Sequence, residues 1–366
     1  MKRVIQIEPW IDRRELKQLK RVVKSTFVSE YKLNEEFESL IKKITSSPHA
    51  VSMTNGTAAL FCALKALGIG EGDEVIVPNM TFIASANAVI FAGATPVLCD
   101  VDKDSLCMSA EEASKVITSK TKAIMPVHLY GKSCDMDSLK ELAISHDLKI
   151  IEDAAQGMGV LYKGQHVGTF GDAGVLSFYA NKTITCGEGG VVLSPNEKVI
   201  KDCYKMKNHG RSGKGVFVHE SIGFNFCFTE MQAAVGISQL HKLKKVIKKK
   251  NEIFEFYYKN IKNSFLQQIP TNHKTTPVHW FTSFFTDHKE KLISYLKNNG
   301  IQTREFFYPL NKQPCYLNSE LINTDSKLPI SEKAFESGIS LPSSYNISKK
   351  QLKYICGVIN KFKPDD

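Results

Sequence analysis

The sequence has 366 residues, of which 42% are hydrophobic and 23% are charged, and its formal net charge at pH 7 is +10. Such a chain can bury a large core in two domains, and its composition excludes a disordered or fibrous protein. No apolar run reaches the roughly 18 residues of a membrane span, and the charged first residues predict no signal peptide.

The cysteines and lysines exclude two further classes of protein. The nine cysteines are scattered without CxxC spacing, so neither a metal site nor a disulfide scaffold is predicted, and reduced thiols in the cytoplasm are expected. The densest basic run keeps apolar residues at helical spacing and has no nucleic-acid-binding motif beside it, so it is interpreted as the wet face of a helix, with no nucleic-acid or membrane partner. This run comprises Lys242, Lys244, Lys245, Lys248, Lys249 and Lys250.

The predicted elements divide the chain into three parts. Residues 1–48 form a charged helical arm, a long helix covers 230–262, and the remainder contains helices and short strands. Between them, β-branched runs alternate with helical stretches, which is typical of an α/β domain around a largely parallel sheet. Predicted strands lie at 74–78, 95–98, 123–127, 149–153, 173–178 and 190–194. We expect a large α/β domain over 1–245, including the arm, and a small C-terminal domain over 246–366.

A lysine follows one of these strands and precedes a glycine cluster. Lys182 lies in Ser-Phe-Tyr-Ala-Asn-Lys-Thr-Ile-Thr-Cys-Gly-Glu-Gly-Gly, residues 177–190. A rigid, partly desolvated lysine can form a Schiff base, and the glycines allow the backbone to turn beside a bulky cofactor. Taken alone, a lysine in a loop is more often a solvated surface charge.

Three other segments suit a pyridoxal 5′-phosphate (PLP) site. Asp153 ends an apolar strand and can pair with a pyridine nitrogen, while Gln156 can bond the phenolic oxygen; an N-cap aspartate opening a helix at Ala154 is an equally good interpretation. Gly56 and Thr57 open a helix whose free N–H groups suit a phosphate, although Asn-Gly-Thr is also an ordinary turn. Phe82 can stack on a pyridine ring or pack in a core.

Together these segments resemble one family, the DegT/DnrJ/EryC1/StrS sugar-nucleotide aminotransferases. The resemblance runs from about residue 5 to the C-terminus. It is densest at 55–60, 72–78, 127–131, 152–156, around Lys182, at 207–210 and at 223–226. It implies the type I aspartate-aminotransferase fold, in which a large domain holds a mostly parallel seven-stranded sheet between helices and a small C-terminal domain is α+β.

The resemblance also implies a role for each candidate residue. Lys182 would be the Schiff-base lysine and proton shuttle, Asp153 the partner of the pyridine nitrogen, and Gln156 a neighbour of the phenolic oxygen. Phe82 would stack on the ring. The phosphate would be held by Gly56, Thr57, Ser177 and, from the neighbouring subunit of a homodimer with shared sites, Asn225.

The reaction implied is a two-step amino transfer. Residues 299–310 resemble the perosamine-synthase group, which uses L-glutamate to aminate C4 of a nucleotide-linked 4-keto-6-deoxyhexose for polysaccharides such as the O-antigen of lipopolysaccharide. Arg304 and Tyr308 are candidate substrate contacts, or alternatively a surface arginine and a packed tyrosine. Members with histidine in place of the lysine are dehydratases; this chain keeps Lys182, but Gly157-Met158-Gly159 stands where many members carry a nearby histidine.

Several alternatives remain open from the sequence. One is amination or dehydration at C3 of a related sugar. Others are a PLP-binding regulator without catalysis and a basic nucleic-acid-binding protein. The identity of the nucleotide, the sugar configuration and the end product are not determined by these motifs.

Overall fold

A computed structural model describes residues 3–213, 215–270, 273–317, 319–323 and 327–364. Its helices are α1 Arg13–Ser25, α2 Lys32–Thr45, α3 Gly56–Ala66, α4 Ala84–Phe91, α5 Ala110–Ser114, α6 Met136–Ser145, α7 Glu197–Lys207, α8 Glu230–Asn260, α9 Lys289–Asn298, α10 Pro329–Ser337 and α11 Lys349–Ile359. Its strands are β1 His49–Met53, β2 Glu74–Pro78, β3 Thr95–Cys99, β4 Thr121–Ile124, β5 Lys149–Asp153, β6 Leu161–Tyr162, β7 Gln165–His166, β8 Ala173–Ser177, β9 Gly190–Ser194, β10 Gln267–Gln268, β11 Thr275–Thr276, β12 Thr282–Phe285, β13 Arg304–Glu305 and β14 Gly338–Leu341.

The centre of the fold is a seven-stranded sheet in the order β1-β9-β8-β5-β4-β2-β3. The four pairings from β8 through β3 are parallel, and β9 runs antiparallel to both β1 and β8. Helices cover both faces, since one apolar core joins the sheet to α3, α4 and α7 and another joins it to α2, α6 and α8. Strands buried on both faces are continuous apolar runs, which explains why the pattern was readable in the sequence.

The sequence placed most of this sheet correctly. Strands β2, β5 and β9 have the predicted bounds, and α8 ends at Asn260, two residues before the predicted end. The mostly parallel seven-stranded sheet confirms the predicted fold class. Strand β1 was not predicted because His49 and Ser52 interrupt its apolar residues; it forms a sheet edge by pairing with β9.

A second sheet, in the order β10-β12-β14-β13, carries a separate apolar core near the C-terminus. Helix α8 contributes Ile253 and Tyr257 to this core, and its other half packs on α1 and α2. Val4 also belongs to this core and pairs with Ile301. The division at residue 245 therefore falls inside a continuous helix, and it stays a prediction.

The lysine-rich face of α8 differs from the sequence prediction in two places. Lys244, Lys245 and Lys248 are exposed as expected, but Lys242 and Lys250 are buried. They lie eight residues apart and so share a face of the helix, which points inward. Their amines are satisfied internally, Lys242 by an ion pair with Glu15 and Lys250 by two backbone carbonyls. None of the described helices is long and apolar enough to cross a bilayer.

Candidate active site

Lys182 lines a large cavity, with a volume of about 1010 Å³. It follows β8 in a turn closed by a 3.0 Å hydrogen bond from its own N–H to the Tyr179 carbonyl. Its Nζ lies 4.5 Å from the ring centroid of Trp280. Burial lowers the pKa of Lys182 to about 8; the negative charge of Asp153 opposes this shift, and the positive charge of Arg304 adds to it. The amine is therefore neutral, and nucleophilic, more often near neutral pH than the amine of a solvated lysine.

Asp153 lies at the carboxyl end of β5, buried against the same cavity. Its Oδ2 accepts a 2.7 Å hydrogen bond from the Ser85 hydroxyl, and its Oδ1 accepts one of 3.0 Å from the Ala155 N–H. Turns, not a helix, follow Asp153, so the interpretation of this residue as a helix N-cap is wrong. Two hydrogen bonds instead fix a buried carboxylate, and it retains lone pairs for a further donor.

A buried polar network anchors the strand end that carries Asp153. The Glu152 carboxylate accepts hydrogen bonds from the N–H groups of Gly168, Phe170 and Gly171. It also contacts the ring nitrogen Nε2 of His128 at 2.9 Å, and the backbone N–H of His128 donates to the Asp153 carbonyl. Because these buried groups have partners, the end of β5 is held rigidly, as a precise electrostatic site requires.

Gln156 lies next to Asp153 with one end of its amide occupied. Its Oε1 accepts a 2.7 Å hydrogen bond from the Tyr130 N–H. This contact orients the side chain, which lines the cavity. Its amide nitrogen remains as a donor suited to a phenolic or other anionic oxygen.

The N-terminus of α3 forms one end of the cavity. Asn55 caps this helix, because its Oδ1 accepts from the Ala58 N–H and its carbonyl accepts from the Ala59 N–H. These two bonds leave the preceding N–H groups, those of Gly56 and Thr57, for an anion at the positive end of the helix. A Cβ on Gly56 would lie 3.1 Å from Ser177 Cβ, so glycine allows the α3 terminus to approach the end of β8.

An aromatic wall completes the cavity. Phe82 follows β2 and is 53% exposed, which leaves a free face. Its ring centroid lies 6.0 Å from that of Phe307, which stacks on Tyr130 at 5.5 Å with an interplanar angle of 3°. A flat ring bound in the cavity can therefore stack on the free face of Phe82.

Comparison with known proteins identifies the group to which these features belong. The model of the DegT/DnrJ/EryC1/StrS aminotransferase family matches residues 9–360. The chain belongs to this family.

Similarity to individual members covers nearly all of the chain. It is 40% identical over 370 residues to GDP-perosamine synthase of Escherichia coli O157:H7, covering 100% of both chains, and 38% identical over 361 residues to GDP-perosamine synthase of Vibrio cholerae, covering 97% of this chain and 98% of the relative. Among solved structures, DesV of S. venezuelae superposes with a TM-score of 0.93 at 31% identity over 99% of this chain and 98% of DesV.

These findings confirm the predicted family, the enzyme class and the cofactor. The family's aminotransferases depend on PLP, and the chain is an aminotransferase of the same kind. The site fits that cofactor, because a helix N-terminus, a buried carboxylate, an oriented amide and a lysine with a lowered pKa surround one cavity. Among the remaining alternatives, a nucleic-acid-binding protein and a regulator without catalysis have no support from this membership.

The structure brings most of the predicted site residues of this aminotransferase together. Eight of the predicted residues line the cavity: Gly56, Thr57, Phe82, Asp153, Gln156, Ser177, Lys182 and Arg304. Two do not line it. Tyr308 packs edge-on against Phe335 at 5.1 Å, and Asn225 is exposed between Phe224 and Phe226, both of which do line the cavity.

Four residues that line the cavity or orient its side chains were not among the predicted site residues. Ser85 and Tyr130 bond Asp153 and Gln156, while Asn181 and Trp280 flank Lys182. Asn181 was inside the quoted motif, and its Oδ1 is buried without a partner among the described residues. Trp280 lies 98 residues after Lys182, and no local pattern links the two.

Proposed function

We propose that the chain transfers the amino group of L-glutamate to C4 of a nucleotide-linked 4-keto-6-deoxyhexose, giving a perosamine-like 4-amino-4,6-dideoxyhexose. The observation that carries the amino-transfer chemistry is Lys182, an amine with a pKa near 8 in a cavity shared with the buried Asp153 carboxylate. Full-length similarity to two GDP-perosamine synthases supports the choice of substrate.

PLP bound in this cavity would supply the electron sink that makes the proton on the amine-bearing carbon removable. Lys182 would attach the cofactor and, once displaced by glutamate, would move that proton from the glutamate α-carbon to the C4′ carbon of PLP. The second half-reaction would reverse this transfer, from C4′ to C4 of the sugar. The lowered pKa of Lys182 suits both tasks, because a general base works best when its pKa is near the working pH.

The other chain groups bind and orient the cofactor. The Asp153 carboxylate, oriented by Ser85, would pair with the ring nitrogen of PLP and favour its protonated form, and the Gln156 amide, oriented by Tyr130, would donate to the phenolic oxygen. Gly56, Thr57 and Ser177 would hold the phosphate, and Phe82 would stack on the ring. Arg304 binds a carboxylate or phosphate of the substrates; a role for Tyr308 would require it to act at the cavity mouth.

We infer a homodimer in which each active site uses both subunits. The segment 215–228 exposes large apolar side chains, including Phe217 at 82% and Ile222 at 92% exposure. Extended backbone alternates its side chains, so Phe224 and Phe226 face the cavity of their own chain while Asn225 points away from it. This orientation supports delivery of Asn225 to the phosphate in the partner's site.

The retained lysine bears on the choice between amino transfer and dehydration, and the free cysteines bear on the cellular location of the enzyme. A dehydratase of this family would have histidine in place of Lys182, so retention of the lysine favours amino transfer; amination at C3 is the second candidate. All nine cysteines lie in the described part of the chain as free thiols, which supports placing the enzyme in a reducing cytoplasm, at an early step of O-antigen or related polysaccharide synthesis.

A substrate panel tests this function. The purified enzyme with PLP and L-glutamate is incubated with nucleotide-linked 4-keto-6-deoxy and 3-keto-6-deoxy hexoses carrying GDP, dTDP or UDP, and products are identified by mass spectrometry and NMR. We expect an amine at C4, formed fastest from the GDP-linked sugar. Amination at C3 alone, or loss of water without gain of nitrogen, would contradict the proposal.

A further inference from the structure

Trp280 contacts the lysine of the active site in two ways. Its indole face lies 4.5 Å from Lys182 Nζ, and its Nε1–H donates a 2.6 Å hydrogen bond to the carbonyl of Asn181, the residue just before Lys182. The first contact involves the reactive amine and the second fixes the backbone from which that amine extends. The Trp280 side chain therefore contacts both the amine of Lys182 and the backbone that precedes it.

Trp280 is itself held rigidly. Its side chain is buried, with 1% relative exposure, and packs on the Phe281 ring at 4.1 Å. Its carbonyl accepts a 2.9 Å hydrogen bond from Lys250, whose Nζ also donates to the Ser343 carbonyl at 2.7 Å. Lys250 thus ties α8 to the segments that contain Trp280 and Ser343, and it fixes the backbone from which the indole extends.

The nature of the contact suits an amine that must change its bonds during catalysis. Lys182 Nζ makes no hydrogen bond or ion pair with any described residue, and it lies instead over the indole face of Trp280. A π face attracts the protonated amine without supplying a directional acceptor, so it favours the cation without fixing the side chain. A carboxylate at this position would hold the ammonium far more tightly and slow its movement.

We propose that Trp280 is a positioning residue of the amino-transfer reaction: its indole face receives the Lys182 amine when glutamate displaces it and steadies the ammonium while Lys182 carries the proton. This inference rests on the proposed function, because it requires Lys182 to be the residue that attaches the cofactor. It adds a place for the amine between the step in which it accepts the proton and the step in which it delivers the proton.

Substitutions at Trp280 separate the π face from the hydrogen bond. Trp280→Phe keeps an aromatic face and loses the N–H donor, whereas Trp280→Leu loses both. Trp10→Phe and Trp10→Leu are the matched controls, since Trp10 is the other tryptophan of the chain and contacts the cations of Arg14 and Lys242 at 4.7 and 4.6 Å. Circular dichroism and cofactor content show which variants fold and bind PLP.

The first measurement is a pH titration of the absorbance band of the lysine-bound cofactor in the holoenzyme, which involves no turnover. The charged groups acting on Lys182 are Asp153 and Arg304, with Glu188 also lining the cavity and Lys250 behind Trp280. Because the π face favours the protonated form, its loss should lower the pKa of the band. We expect a decrease of roughly 0.4–1.5 units in Trp280→Leu, a smaller one in Trp280→Phe and none in the Trp10 variants.

The second measurement is the half-reaction with glutamate and with α-deuterated glutamate. We expect proton transfer to slow roughly 2- to 30-fold in Trp280→Leu, with a larger deuterium isotope effect and partial recovery in Trp280→Phe. An unchanged pKa and isotope effect in both variants would overturn the proposal, as would a Phe variant no better than Leu. If Trp280→Leu loses its cofactor, the Phe variant alone decides, by whether its pKa and isotope effect differ from wild type.

The failure of this inference is distinguishable from failure of the proposed function. If Lys182→Ala retains turnover, the proposed function itself is wrong. If turnover requires Lys182 but the Trp280 variants behave like the Trp10 controls, only the role of Trp280 is lost.

Discussion

Three described lysines, Lys132, Lys182 and Lys250, have strongly lowered pKa values, but only Lys182 lines the active-site cavity. Lys132, whose pKa is lowered to about 8, donates to the backbone carbonyls of Ser105 and Pro270. Burial lowers the pKa of Lys182 to about 8 and that of Lys250 to about 7. Lys250 donates to the carbonyls of Trp280 and Ser343 and so is immobilised. Lys182 opens into the cavity that holds Asp153 and touches a π face instead. A perturbed pKa therefore indicates burial, and function depends on access and freedom to change partners.

Replacing Lys182 and replacing Lys250 should give the largest difference in transamination activity. Lys182→Ala should reduce transamination by about 10³-fold or more and remove the absorbance band of lysine-bound cofactor, because no other described lysine lines the cavity. Lys250→Met should keep the band. Steady-state kinetics and absorbance spectra of the two purified variants measure this difference, and equal losses in both would break the comparison.

Asp153 provides the next largest effect. Asp153→Asn keeps the size and the Ser85 contact but removes the charge, so turnover should fall by about two orders of magnitude and PLP should bind more weakly. Ser85→Ala is the matched control, because it leaves the charge and removes only one hydrogen bond; a loss of about 10-fold is expected. An Asn variant as active as wild type would show that the carboxylate does not serve the cofactor.

Site residues were predictable from the sequence when a local pattern marked them, and not when only tertiary packing brings them to the site. Asp153, Ser177 and Gly56 lie at strand ends and a helix start, where periodicity and turn chemistry are readable, and the structure places all three around one cavity. Trp280 and Ser85 reach the site only through tertiary packing, so no local pattern marks them. The prediction that Lys242 and Lys250 are solvated was wrong because the whole lysine-rich run was assigned to the exposed face, whereas helical spacing from Val246 places Lys250 on the apolar face.

Mixed dimers test whether the site is complete within one chain. Lys182→Ala and Asn225→Ala, each inactive or strongly impaired alone, should together regain activity, since in each heterodimer one site carries both defects and the other neither. Random mixing makes about half of the dimers mixed, so recovery of up to about a quarter of wild-type activity is expected. Asn225→Ala is first assayed alone; if mixed dimers form from an impaired variant and no activity returns, Asn225 serves its own chain.

Lys250 should affect stability more than chemistry. Its folded pKa lies below that of an unfolded lysine, so between about pH 7 and 10 the unfolded state binds more protons and stability rises with pH, by up to about 1.4 kcal/mol per unit for this group. Lys250→Met should flatten that rise. Denaturant unfolding at fixed protein concentration across this pH range measures the slope, and an unchanged slope would show that Lys250 is not buried as a neutral amine.

Reductive trapping shows most directly whether Lys182 or Lys250 attaches the cofactor. Holoenzyme is treated with borohydride, which makes the link between lysine and cofactor permanent, then digested and examined by peptide mass spectrometry. The cofactor mass should appear on the peptide containing Lys182 and be absent from the peptide containing Lys250. Attachment to Lys250 or to another lysine, with Lys182 unmodified, would contradict the assignment of Lys182 as the lysine of the active site.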